Sequence, residues 1–287
     1  MLEAQAGAPS PNVFEVLWLF REALFGTLLI ALGCSVLGVY VVLRRIVFVG
    51  AALAQISSAG IALAGLLSSL GIALGALTGE LTLSFLATLG GVVFFTVSGG
   101  RTRVPPDASL GLAYVVAGGI AVLMIAKTAG ADVHDLFIQG NILGVTLRDT
   151  ITLAIVVGPV LLLHLLLYKE FLFVSFDPEM AHTLGYATDR WTLVLYLTIG
   201  IMIAVAMHSA GVLLVFNFLV TPAVTGLLLG RNMRAVFAWA VVSSLLAALT
   251  GFALSIPFDL PTGPAIVAVS GLLAGIAWVI HSRRGDA

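Results

Sequence analysis

The sequence predicts an all-α integral membrane protein, a polytopic bundle of about nine transmembrane helices. Hydrophobic residues make up 60% of the 287 residues and charged residues only 9%. The mean hydropathy is +1.16. A soluble domain carries roughly a quarter charged residues, so a bilayer must solvate this chain. No hydrophilic block is long enough to form a nucleotide-binding domain or an extramembrane enzyme domain.

Nine runs meet the requirement of about 20 apolar residues for a spanning helix. They cover residues 16–43, 46–70, 72–97, 109–128, 150–168, 191–207, 210–229, 235–256 and 262–280. The second and third runs are separated only by Ser68, Ser69 and Gly71, so eight spans with one re-entrant segment is the alternative. We expect one transmembrane domain over residues 16–282, between short tails at 1–15 and 283–287.

The basic residues predict how the chain is oriented. On one side of the nine spans lie Arg44, Arg45, Arg101, Arg103, Lys169, Arg190, Arg231, Arg234, Arg283 and Arg284. The other side receives Arg21, Lys127 and Arg148. Because Lys and Arg are enriched in cytoplasmic loops, the first side is predicted to be cytoplasmic. The expectation is a multi-pass protein of the cytoplasmic (inner) membrane, with an outside N-terminus and a cytoplasmic C-terminus.

Charge and cysteine content narrow the function classes. The formal net charge of −1 does not predict binding to nucleic acid. The only cysteine, Cys34, lies in an apolar run. A single cysteine excludes an internal disulfide framework and a cysteine-based metal cluster.

The predicted cytoplasmic segment 176–187 has the pattern of a short helix between loops. Asp177 is a suitable N-cap, and Pro178 and Glu179 suit the first turn. Gly185 can end the helix after about two turns. Such a helix is either a simple connector between two spans or a docking helix for a cytoplasmic partner.

The same segment carries a family resemblance. Residues 176–186 (FDPEMAHTLGY) resemble the coupling-helix segment in permease subunits of ATP-binding-cassette importers for zinc, manganese and iron. Three more stretches resemble that family in the same order: 39–60 (VYVVLRRIVFVGAALAQISSAG), 211–229 (GVLLVFNFLVTPAVTGLLL) and 255–267 (SIPFDLPTGPAIV). The resemblance extends from about residue 20 to residue 280, which is nearly the whole chain.

The resemblance implies a metal-importer permease that has no catalytic site and no bound cofactor. Two cytoplasmic ATPase subunits would bind ATP and Mg²⁺ and seat on the coupling segment. The residues implied in coupling are Asp177, Pro178, Glu179, Ala181, Leu184 and Gly185. A second permease copy, identical or a close paralogue, would complete the membrane part. An extracytoplasmic solute-binding protein would deliver the substrate.

One departure from the family concerns the metal ligands. The second helix of the family usually reads GDALSH, and its Asp and His are the implied metal contacts. Here the matching residues 50–55 read GAALAQ, with Ala51 and Gln55 at those two positions. A divalent cation in a low-dielectric pathway needs anionic or imidazole ligands. The architecture therefore carries over from the family, but this metal site does not.

Other polar residues at membrane depth are candidates for the substrate pathway. They are Gln55, Ser58, Glu80, His208 and Asn217. Glu80 is predicted in the outer half of the third span, as a substitute ligand or proton-linked group, with an interfacial carboxylate as the alternative. Asp132, His134 and Asp135 have metal-ligand chemistry on the outer segment 131–149, but their spacing favours a solvated face.

Four functions remain to be weighed. The leading prediction is the permease of an ATP-driven importer for a divalent transition metal. The same architecture with a chelated metal or a small organic substrate is the second. A secondary transporter driven by an ion gradient, with Glu80 as its coupling carboxylate, is the third. An intramembrane enzyme is disfavoured because no HExxH, Ser/His or paired-Asp pattern occurs in the spans.

Overall fold

The fold consists of apolar helices whose backbone groups are satisfied within each helix, as a bilayer requires. The computed structural model describes residues 18–72, 79–98, 106–128 and 142–285. The helices in these ranges are α1 (Arg21–Leu43), α2 (Val47–Ser69), α3 (Glu80–Ser98), α4 (Pro106–Lys127), α5 (Leu147–Leu166), α6 (Tyr168–Phe176), α7 (Pro178–Thr183), α8 (Thr188–Leu229), α9 (Met233–Ser255) and α10 (Thr262–Gly285). A 3-10 turn covers Ile142–Gly144. The described ranges contain no strand, so the predicted all-α class is confirmed.

Seven of these helices are long and apolar enough to cross a membrane, and α3 is a shorter apolar helix. One of the seven, α8, has 42 residues. A straight helix of that length measures about 63 Å, roughly twice the hydrocarbon thickness of a bilayer. Its backbone is non-helical at Gly211, with φ 72° and ψ 169°. Only glycine adopts that conformation without strain.

Contacts with α1 show that α8 reverses direction at Gly211. Before it, Thr192 accepts a hydrogen bond of 2.9 Å from Arg44, at the end of α1. After it, the Leu219 carbonyl packs so closely on Gly38 that a side chain at residue 38 would overlap it. A straight helix would hold Thr192 and Leu219 about 40 Å apart, yet both touch the last turns of α1. The two halves of α8 are therefore two spans.

Within the described ranges the path consequently has nine crossings: α1 to α5, the two halves of α8, α9 and α10. We call the two faces of the bundle the Arg44 side and the Glu80 side. His281, near the C-terminus, lies with Nδ1 3.0 Å from the carbonyl oxygen of Leu228 at the end of α8. The C-terminal end of α10 therefore lies on the Arg44 side, opposite the start of α1, as an odd number of spans requires.

The core of the bundle is formed by α1, α2 and α8, while α4, α5 and α10 are peripheral. The most apolar windows of α1 and α8 are 67% and 72% buried, against 17% for α4 and 22% for α10. Small residues bring the central helices together, as is common in membranes. At Gly60 of α2, an added Cβ would lie 2.8 Å from the Cα of Ser84 in α3.

Two predicted boundaries need correction. The third span was predicted from residue 72, but α3 begins at Glu80. The fifth begins earlier than predicted, at Leu147, because Thr146 and Asp149 form a capping box. Between the fifth and sixth predicted spans, α6 was not predicted, whereas α7 is the short helix that the sequence predicts within 176–187. The break at Gly211 in α8 confirms the predicted separation of the runs 191–207 and 210–229.

Candidate substrate path and docking helix

The Glu80 side carries a carboxylate–imidazole pair. Glu80 is the first residue of α3, where the positive end of the helix dipole favours an anion. His208 lies three residues before the break in α8, and its Nδ1 is 3.4 Å from Oε2 of Glu80. The side chains are 55% exposed for Glu80 and 28% for His208. Two candidates predicted from separate spans thus meet.

The position of Glu80 corrects its predicted depth. It was predicted in the outer half of the third span, but it begins α3 and is half exposed. The alternative, an interfacial carboxylate at the rim, describes its place better. Within the described residues, no three His, Cys, Asp or Glu side chains come together to hold a metal ion. Asp132, His134 and Asp135 lie outside the described residues.

A groove of about 460 Å³ lies between α2, α4 and the second half of α8. Gln55 and Ser58 from α2 line it, together with Tyr114, Gly118 and Gly119 from α4. Gly118 makes room for the Gln55 amide, because a Cβ added at residue 118 would lie only 3.3 Å from Oε1 of Gln55. The groove therefore offers a neutral amide, hydroxyl groups and apolar walls.

Ala51, at the Asp position of the family motif, and Asn217, another pathway candidate, lie in the packed interior. Ala51 is 6% exposed and brings no ligand atom. Asn217, in the second half of α8, is also 6% exposed. Its Nδ2 has no hydrogen-bond partner among the described residues. Asn217 does not line the Gln55 groove, so the structure does not bring all the predicted pathway residues together.

A chain of hydroxyl groups next to the groove was not predicted as a unit. The Oγ atoms of Ser57 and Ser84 lie 2.7 Å apart, and Ser84 donates to the carbonyl of Ala204 at 3.3 Å. The Ser57 hydroxyl must therefore donate to Ser84, and these two hydrogen bonds join α2, α3 and α8. In the sequence, each serine appears only as a polar residue within an apolar run. Ser57 and Ser84 are too far apart along the chain to be paired without the fold.

The Arg44 side displays α7, the predicted docking helix. The Asp177 carboxylate accepts a hydrogen bond of 2.9 Å from the backbone N–H of Met180, with Pro178 in the first turn. The turn after α7 closes at Gly185, whose φ is +88°. These features match the capping predicted from the sequence.

The exposed face of α7 and its flanks is apolar. Phe176 is 72% exposed, Met180 53% and Leu184 64%. In contrast, Ala181 is fully buried and anchors the helix to the bundle. We call Phe176, Met180 and Leu184 the α7 patch.

An aromatic cluster packs α6, the helix that leads into α7, against the spans. The ring of Phe171 in α6 lies 4.3 Å from that of His164 and meets the ring of Trp191 edge to face at 5.1 Å. Tyr40 of α1 lies 5.1 Å from His164. Nε2 of His164 lies 3.0 Å from Oγ1 of Thr198 in α8. His164 is thus an interior histidine, 2% exposed, in a cluster that joins α1, α5, α6 and α8.

Taken together, the spans, the neutral groove and the displayed helix define a multi-pass membrane protein of the transporter class. Residues 17–281 match the model of the ABC 3 transport family. The chain belongs to this family.

Curated relatives and a solved structure agree with this membership. The manganese transport system membrane protein MntB of Synechocystis is 30% identical over 266 residues, covering 92% of this chain and 83% of the relative. A probable iron transport system membrane protein of Haemophilus influenzae is 28% identical over 280 residues, covering 96% and 97%. The fold also matches a chain from the structure of PsaBC from Streptococcus pneumoniae in complex with Fab. The TM-score is 0.81 at 21% identity, covering 93% of this chain and 94% of that one.

Proposed function

We propose that this chain is the transmembrane permease subunit of an ATP-driven importer for a divalent transition metal ion. Manganese, iron and zinc are the candidate substrates. The observation that carries the proposal is the family match over residues 17–281. Relatives named for manganese and iron transport span nearly the same length and support the choice of cargo.

The energy source is a separate subunit. We assign the α7 patch as the docking surface of a cytoplasmic ATPase, with Asp177, Pro178, Glu179, Ala181 and Gly185 shaping the helix that displays it. Three large apolar side chains exposed beyond the spans form the kind of anchor that a partner pocket buries. The Arg44 side is then cytoplasmic, in agreement with the positive-inside rule. Two ATPase subunits bind ATP and Mg²⁺, one for each permease copy.

A second copy of the permease, identical or a close paralogue, covers the groove lined by Gln55 and Ser58. An amide at membrane depth is costly when it faces lipid, which supports a polar partner surface there. Positions 111 and 119 of α4 are glycines with no atom within 4 Å of an added Cβ. These positions leave room for a neighbouring helix.

Substrate enters on the Glu80 side, where a solute-binding protein delivers it. We propose Glu80 and His208 as the first contact, because a carboxylate and an imidazole suit transition metals. Their 3.4 Å separation allows one ion to contact both after a small side-chain movement. The ion then passes the neutral Gln55 groove, where access alternates between the two sides.

A second candidate keeps this architecture and changes the cargo to a chelated metal or a small organic molecule. The observation that favours it is the replacement of the family Asp and His by Ala51 and Gln55. A ligand that surrounds its own metal needs no charged protein groups inside the membrane.

Leu184→Glu tests the docking proposal. A charge in the α7 patch is expected to weaken association with the cognate ATPase by about 30-fold or more, as for a hot-spot residue worth about 2 kcal/mol. Association is measured by co-purification and by stimulation of ATP hydrolysis. Phe258→Glu is the matched control, because Phe258 is 66% exposed, close to the 64% of Leu184, but lies on the Glu80 side. Equal association of both variants with the ATPase overturns the docking assignment.

A further inference from the structure

A groove of about 540 Å³ opens on the periphery of the bundle, between the second half of α8, α9 and α10. Arg231 and Asn232 line one end. Apolar side chains line most of the remainder, including Trp239, Leu246, Ile276 and Ile280. This groove is separate from the one that contains Gln55.

The dimensions of the groove correspond to one leaflet of a bilayer. Along α9, its lining extends from Asn232 to Leu246. At 1.5 Å per residue this distance is about 21 Å. Half of a bilayer with its headgroup region measures about 20–22 Å. Arg231 and Asn232 lie in the turn before α9, on the Arg44 side, and therefore at headgroup depth.

The polar end of the groove provides positive charge and hydrogen-bond donors. Arg231 is exposed, and no carboxylate pairs with it in the part of the chain that the structure describes. The Oδ1 atom of Asn232 accepts a hydrogen bond of 2.9 Å from the N–H of Ala235, which leaves the amide nitrogen as a donor. A guanidinium group and an amide donor match the oxygens of a phosphate.

We propose that this groove binds one anionic phospholipid from the leaflet on the Arg44 side. The phosphate contacts Arg231 and Asn232, and one acyl chain lies along Trp239 and Ile276 toward Leu246. A second copy packed through the same face is the less suitable occupant, because no carboxylate lines the groove and two Arg231 side chains would be buried together. The proposal does not depend on the cargo or on the ATPase.

Native mass spectrometry of the purified chain tests the proposal. Dioleoyl phosphatidylglycerol and dioleoyl phosphatidylcholine are added separately at equal concentrations, and retained lipid is counted. The wild-type chain is expected to retain phosphatidylglycerol preferentially. Arg231→Gln is expected to reduce that retention about fivefold, the effect of one basic residue at a lipid surface. Equal retention of the two lipids by the wild-type chain overturns the proposal.

Two further variants separate the headgroup contact from the acyl contact. Arg45→Gln removes an exposed charge on the same side, away from the groove, and is expected to leave retention unchanged. If it reduces retention as much as Arg231→Gln, binding is non-specific and the proposal fails. Ile276→Trp fills the groove from a 56% exposed position and is expected to reduce retention of the lipid. Intermolecular disulfide formation by Trp239→Cys in membranes shows instead that a second copy covers the groove.

Discussion

The two ends of the bundle are built differently. On the Arg44 side, Phe171 packs in an aromatic cluster, and the short helix α7 has a complete N-cap. On the Glu80 side, the candidate substrate contact is one exposed pair, Glu80 and His208. A surface that receives mechanical force from a partner needs rigid packing, whereas a site that must release its ion needs weak and reversible contacts. Under the proposed function, the packed end docks the ATPase and the exposed pair receives the substrate.

Gly38→Ala tests how closely α1 packs against the second half of α8, between the two ends of the bundle. An added Cβ would overlap the Leu219 carbonyl, and backbone cannot move aside as a side chain can. We expect a loss of about 3 kcal/mol in stability, the upper part of the range for overpacking. Unfolding in mixed micelles measures it. Gly271→Ala is the control, because an added Cβ there meets no atom within 4 Å; equal losses would contradict the packing.

Phe171→Ala tests the rigidity of the Arg44 side. Phe171 is 1% exposed, so its truncation leaves a cavity. Because unfolding in a membrane does not transfer the side chain to water, mainly the cavity cost applies, about 2 kcal/mol. Phe258→Ala, at a 66% exposed position on the Glu80 side, is expected to cost less than about 0.5 kcal/mol. If thermal unfolding shows similar losses of stability for the two variants, the proposed contrast between the two ends is wrong.

Glu80→Gln tests the substrate end. Loss of one anionic ligand from a two-residue contact is expected to weaken the apparent affinity for Mn²⁺ about tenfold, or about 1.4 kcal/mol. Uptake of radiolabelled Mn²⁺ as a function of concentration gives this value. Asp259→Asn, which removes another carboxylate on the same side, is the control. An unchanged affinity in Glu80→Gln would remove Glu80 from the path.

The smallest expected effect is the stability provided by the Glu80–His208 pair. Exposed ion pairs contribute about 0–1 kcal/mol, and both side chains of this pair are partly exposed. A double-mutant cycle with Glu80→Gln and His208→Gln should therefore give a coupling energy of no more than about 1 kcal/mol. A coupling above about 2 kcal/mol would make the pair a structural element.

Prediction from the sequence succeeded where local chemistry decides the structure. Long apolar runs predicted the spans, and Asp177 with Gly185 predicted both ends of α7. Prediction was less accurate where distant residues decide. The start of α3 at Glu80 is not marked by any change in hydropathy, because the residues before it are also apolar. The separation of the runs 191–207 and 210–229, in contrast, was predicted from the sequence, and the break at Gly211 confirms it.

The candidate pathway residues were chosen one by one from the sequence, and only the fold shows how they are arranged. Glu80 and His208 were separate candidates, and only the fold brings them within 3.4 Å. Asn217 was a candidate for the same path but lies in packed interior. Polarity at membrane depth indicates that a residue matters, whereas helix packing determines whether it reaches a path.

The most direct test of the central claim is uptake by proteoliposomes that contain this chain and its cognate ATPase. Radiolabelled Mn²⁺, Fe²⁺ and Zn²⁺ are supplied with the solute-binding protein outside and ATP inside. We expect accumulation of at least one of these ions that requires ATP and is lost in Leu184→Glu. Uptake that continues without ATP or without the ATPase, driven by an ion gradient, would contradict the account.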